Sequence, residues 1–194
     1  MAATTGHLFF SEREHATVRA AMARLIPADP DLGAPGAAAT GSADYVDGLL
    51  GAFMVDPPRI WAGGPFSGRH GGEGAFDSFV ALGPLEELAW RTRIEGSLGL
   101  AAREFNGPVI GLQQRYREGL GTLDADFVDL DGARQDIRLD DGAEFKALLF
   151  EHACEATYGD PIYGGNRDGE GWRFIGFEGD VQPRGYSDTE VSEP

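Results

Sequence analysis

The 194-residue sequence predicts a mainly α protein: a small helical bundle with long irregular Gly/Pro-rich loops and an extended C-terminal arm. Three observations lead there. Apolar residues recur at helical spacing in four segments. The 29 glycines and 11 prolines are about a fifth of the chain, so much backbone runs outside regular elements. Beyond Tyr158 the periodicity stops, yet aromatic residues continue. The chain reads as one domain, residues 1–194, made of a helical body, 1–157, and an extended partner-binding tail, 158–194.

The first helix opens on Ser11, with Glu14 three residues on, a capping-box spacing that satisfies two orphan amides. Val18, Met22, Leu25 and Ile26 share a face, and Pro27 stops the run. From Ala28 to Gly41 the composition is that of a loop. A second helix begins near Ser42, carries Val46, Leu49, Leu50 and Phe53, and ends by Asp56-Pro57-Pro58. A third spans Pro84 to Ile94, with proline in its first turn and acids at its positive end. A fourth, Pro108 to Leu120, places Val109, Leu112, Tyr116 and Leu120 on one stripe. Thr122 to Asp141 reads as turns, with strand character at Phe127 to Leu130. The last helix, Ala143 to Thr157, aligns Phe145, Leu148, Leu149, His152 and Ala153.

Net charge is −16, from 32 acidic and 16 basic residues, which disfavours nucleic acid and anionic membrane as partners. The single cysteine, Cys154, excludes an internal disulfide and a Cys-pair zinc site; it reads as a small packed hydrophobe. The N-terminal residues contain no twin arginine and no apolar run. The expected location is therefore cytoplasmic, or periplasmic where a leader has been removed or the partner carries the complex across.

Signatures of chemistry are sparse. No G-x-G-x-x-G follows a strand, and no P-loop, nucleophile elbow or H-E-x-x-H motif occurs. Glu12 and His15 form one Glu-x-x-His on a helix, half of what a di-iron carboxylate site requires. Asp129 with Asp131-Gly132, and Asn166 with Asp168, Glu170 and Gly171, imitate calcium loops. Arg138 and Phe177 stand where each closing carboxylate belongs. His152 lies on an apolar helical face, where a core or interface histidine with one satisfied nitrogen is the usual outcome. The expectation is no catalytic, cofactor or metal residue in this chain. The alternative is a free-standing metal-binding domain or enzyme using Glu12, His15 and His152.

Two loop-like stretches, Arg59 to Gly83 and Tyr158 to Pro194, carry Trp61, Phe66, Trp172, Phe174, Phe177 and Tyr186. Long irregular segments are usually functional or disordered, and disordered ones are poor in aromatics. Their aromatics therefore point to burial against another protein.

The tail reads Tyr158-Gly159-Asp160-Pro161-Ile162-Tyr163-Gly164-Gly165-Asn166, then Gly171-Trp172, then Gln182-Pro183-Arg184-Gly185-Tyr186. It resembles the C-terminal signature of gluconate 2-dehydrogenase subunit 3 proteins, small subunits of flavin-containing sugar and polyol dehydrogenases. Arg24 to Asp29 and Tyr116 to Asp124 agree, and the resemblance runs from about Phe10 to the end. It implies a non-catalytic small (gamma) subunit in a heteromer, chaperone-like toward a glucose-methanol-choline type partner that holds FAD. A cytochrome subunit completes some such complexes. The implied contact residues are Tyr158, Gly159, Pro161, Tyr163, Gly164, Gly165, Asn166, Trp172, Pro183, Arg184 and Tyr186.

Overall fold

The computed structural model describes residues 6–63, 66–67, 74–76 and 79–179, with 66–67 and 74–76 as backbone only. Helices dominate the described residues: α1 (Glu12–Leu25), α2 (Gly36–Ala39), α3 (Ser42–Leu50), α4 (Pro84–Glu95), α5 (Leu112–Thr122), α6 (Gly132–Asp141), α7 (Ala143–Tyr158) and α8 (Glu170–Ile175). Two short antiparallel strands, β1 (Phe66–Ser67) and β2 (Gly74–Phe76), interrupt them. The mainly α reading holds.

Helix α1 starts as its sequence dictates. The Glu14 carboxylate accepts from the Ser11 amide at 2.8 Å, and the Glu14 amide donates to Ser11 Oγ at 3.3 Å. Val18, Ala21 and Met22 are fully buried, facing α2, α3 and α7. Helix α7 is the hub. It packs on α1, α2, α3, α5, α6 and α8, and its Phe145, Leu148, Leu149, His152 and Ala153 are all buried. Burial of one such Leu or Phe contributes about 1.5–3 kcal/mol, so this helix anchors the core. Gly119 of α5 lets the Phe145 ring lie flat against it; an added Cβ would fall 2.2 Å from ring carbons.

Four expectations are corrected. The region around Phe127 to Leu130 is not a strand but a 3-10 turn, Phe127–Asp129, with Phe127 fully buried. Residues 132–141, expected to be turns, form α6: Asp131 caps it by accepting from the Arg134 amide at 3.0 Å, and Leu139 turns inward. The loop expected from Ala28 to Gly41 contains the single turn α2. Finally, α5 begins at Leu112 rather than Pro108. The chain before it closes on itself: the Ser97 amide donates to the Val109 carbonyl at 2.9 Å, and the Val109 amide donates to Ser97 Oγ at 2.5 Å.

The arm is not extended over 158–179. It forms two 3-10 turns, Pro161–Tyr163 and Arg167–Gly169, and then α8, which packs on α7. Likewise, the stretch Arg59 to Gly83 is not structureless. Besides the strand pair, the Ala62 amide donates to the Val80 carbonyl at 2.8 Å.

Candidate partner-binding surface

Asn166 organises the tail. Its backbone has φ +43°, a left-handed conformation that asparagine tolerates better than most residues. Its amide donates to the Ala156 carbonyl at 2.6 Å. Its side chain donates to the Gly159 carbonyl and accepts from the Gly171 amide, both at 2.8 Å. No part of it is exposed. Close approach explains two neighbouring glycines. A Cβ on Gly171 would sit 1.8 Å from the Thr157 carbonyl oxygen, and one on Gly165 would sit 2.3 Å from that of Ala156. Trp172 is buried too, donating through Nε1 to the Tyr158 carbonyl at 2.7 Å and meeting Phe177 edge-on.

The tail motif therefore divides. Gly165, Asn166 and Trp172, expected to contact a partner, are buried against this chain's own α7, and Gly159 accepts an internal hydrogen bond. Sequence alone missed this because a buried Asn and a packed Gly look the same in a turn as in an interface. Pro161 and Tyr158 are half-buried, whereas Gly164 and Tyr163 face outward. Pro183, Arg184 and Tyr186 lie outside the described residues.

Two apolar areas stand open among the described residues. Tyr163, 43 % exposed, approaches Trp61 at 5.9 Å between ring centroids, and Trp61 meets Phe79 edge-on at 4.7 Å. Ile162 stands beside Tyr163. A second area lies on the loop between α4 and α5, where Leu98, Leu100, Phe105, Val109 and Ile110 all point outward. Phe105 is 93 % exposed and Leu98 70 %. That loop is held rather than slack. Beyond its Ser97–Val109 neck, Arg103 donates to the Gly96 carbonyl at 3.0 Å and pairs with Glu95 at 2.8 Å. Gly111 lies so close to Gly96 that a Cβ would come within 2.3 Å of the Gly96 nitrogen. Clusters of this kind mark interaction surfaces more often than scattered apolar residues do. Leu32 and Phe174 also line one shallow depression, but they share it with the charged Glu170 and Arg173.

The residues of the metal alternative separate. His152 is buried in the core, 2.7 Å through Nδ1 from the Tyr116 hydroxyl, and its Nε2 has no hydrogen-bond partner among the described residues. Burial pushes its pKa down, although Glu155 and Glu151 pull the other way. Burial likewise pushes the Tyr116 hydroxyl well up. His15 instead faces the rim, with Nε2 2.9 Å from Asp44 Oδ1 and its ring stacked on His7 at 3.8 Å. Glu12 pairs with His7, not His15. The two calcium-like stretches serve other ends: Asp129 pairs with Arg13, Asp131 caps α6, and the Asn166 oxygen accepts from Gly171.

Fold and surface together define a helical protein with its own core and apolar side chains on its outward-facing loops. The gluconate 2-dehydrogenase subunit 3 family model matches residues 12–179, most of the chain. The chain belongs to that family, whose name describes one subunit of a multi-subunit gluconate dehydrogenase complex. No curated protein and no solved structure matches it. Among the described residues, no helix is long and apolar enough to cross a membrane.

Proposed function

We propose that this chain is the non-catalytic small subunit of a FAD-dependent sugar or alcohol dehydrogenase, binding and stabilising a glucose-methanol-choline type large subunit. The observation that carries this reading is the α4–α5 loop, cross-braced by its own hydrogen bonds, which presents Leu98, Phe105 and Ile110 outward on a chain of net charge −16. Leaving such side chains exposed forgoes about 1.5–3 kcal/mol each. A loop braced by its own hydrogen bonds keeps them exposed, so they are ordered for contact before a partner arrives. The Trp61–Phe79–Tyr163 surface supplies aromatic anchors of the kind that dominate interfaces.

Here the flavin and the hydride transfer belong to the partner, and a cytochrome subunit would receive electrons from it. The complex works in the cytoplasm, or in the periplasm if the partner carries it across. Co-expression tests this. A glucose-methanol-choline flavoprotein from the same genome, produced with and without this chain, should gain soluble yield and bound flavin when the chain is present. Equal yield and equal flavin in both cultures would refute it. Size-exclusion of the mature complex distinguishes a permanent subunit from an assembly factor that departs.

A further inference from the structure

His7, His15 and Asp44 each bring a ligand atom within 4.8 Å of the other two. They come from three places: the segment before α1, the body of α1 and the first turn of α3. Their meeting is built into the fold. The buried Asp47 carboxylate accepts the backbone amides of Leu8 at 2.6 Å and of Phe9 and Phe10 at 2.9 Å. That clamp lays the segment along α3 and fixes where His7 can go. The His7 ring lies over His15 at 3.8 Å with an interplanar angle of 14°, so ligation of one ion by both nitrogens requires His7 to turn out of this stack.

The donors suit one class of ligand. A neutral imidazole presents one lone pair, so two histidines and a carboxylate offer two nitrogens and one oxygen. Such a set matches zinc and its first-row neighbours, whereas calcium and magnesium prefer oxygen alone. Asp44 Oδ1 points to His15 while Arg167 holds Oδ2, the outer-shell bracing that orients a ligating carboxylate. Glu12, three residues before His15 on α1, has Oε2 3.4 Å from His7 Nε2 and is well exposed, within reach as a fourth ligand.

We infer that His7, His15 and Asp44 form a divalent transition-metal site of the zinc class, completed by Glu12 or water. Its ion would clip the segment before α1 onto the α1–α3 pair, independently of partner docking. The experiment uses the untagged full-length chain, stripped with chelator and titrated with Co²⁺ followed by Zn²⁺. One Co²⁺ per chain, giving the visible absorption of tetrahedral nitrogen–oxygen coordination and displaced by Zn²⁺, is the expected result. Affinity should fall at least about tenfold in H15A and in D44N. H7A should lose the signal while circular dichroism stays helical, since His7 precedes α1 and lies outside the core. Absence of stoichiometric absorption in the wild type overturns the site. So does equal affinity in the wild type and H7A, which would mark diffuse binding to the acidic surface.

Discussion

Replacing Asn166 with alanine tests the tail's internal role most sharply. The change deletes two side-chain hydrogen bonds, to the Gly159 carbonyl and from the Gly171 amide, in a place with no solvent access at Asn166. Leaving each backbone partner unsatisfied costs about 1–3 kcal/mol. Alanine at φ +43° adds roughly 1 kcal/mol of backbone strain. The sum is about 3–5 kcal/mol after partial relaxation, a large share of the ~5–15 kcal/mol that holds a domain together. Asn166→Gly keeps the backbone conformation and should recover only the strain, about 1 kcal/mol. Urea unfolding of the two variants, followed by helical circular dichroism, gives both numbers. A loss below about 1 kcal/mol in Asn166→Ala would mean that the motif does not staple the tail to α7, and the partner reading of Asn166 would return.

The same geometry sets further outcomes. Gly171→Ala forces a methyl into the Thr157 carbonyl oxygen and should cost at least the ~1–3 kcal/mol of overpacking, read as a lower urea midpoint. Tyr116→Phe removes the hydroxyl that meets His152 Nδ1 and should destabilise by about 1–3 kcal/mol. Burial depresses the His152 pKa below its unfolded value near 6.5, so the unfolded chain binds the proton first. Stability should thus be intact above about pH 6.5 and fall as pH drops toward the folded pKa. His152→Gln should flatten that part of the profile in pH-dependent unfolding. Phe105→Ser, at an outward position, should leave the unfolding free energy within about 0.5 kcal/mol.

The helices were legible wherever local chemistry and periodicity agreed. Ser11 with Glu14 marked the start of α1, and Phe145 to Ala153 traced the buried face of α7. The missed helix, α6, has a polar sequence in which only Gln135 and Leu139 turn inward, too thin a stripe to stand out. Its Asp131 cap, seen as part of a calcium-like turn, was the available signal. Val109 looked helical because its spacing to Leu112 and Tyr116 fits; the Ser97–Val109 closure that excludes it is a contact between positions twelve residues apart. The same limit hid the His7–His15–Asp44 group, since no spacing rule links residue 44 to residue 7. Tyr163 is exposed, yet its motif neighbours Gly165, Asn166 and Trp172 face inward. A turn motif does not encode which of its faces meets solvent.

Hydrogen–deuterium exchange on the chain, free and mixed with its flavoprotein, tests the docking proposal most directly. Protection in the complex is expected at residues 97–110 and 161–163, with little change in α7, whose helical amides are already hydrogen-bonded in the free chain. A stable complex that leaves both segments exchanging as fast as in the free chain would contradict the account.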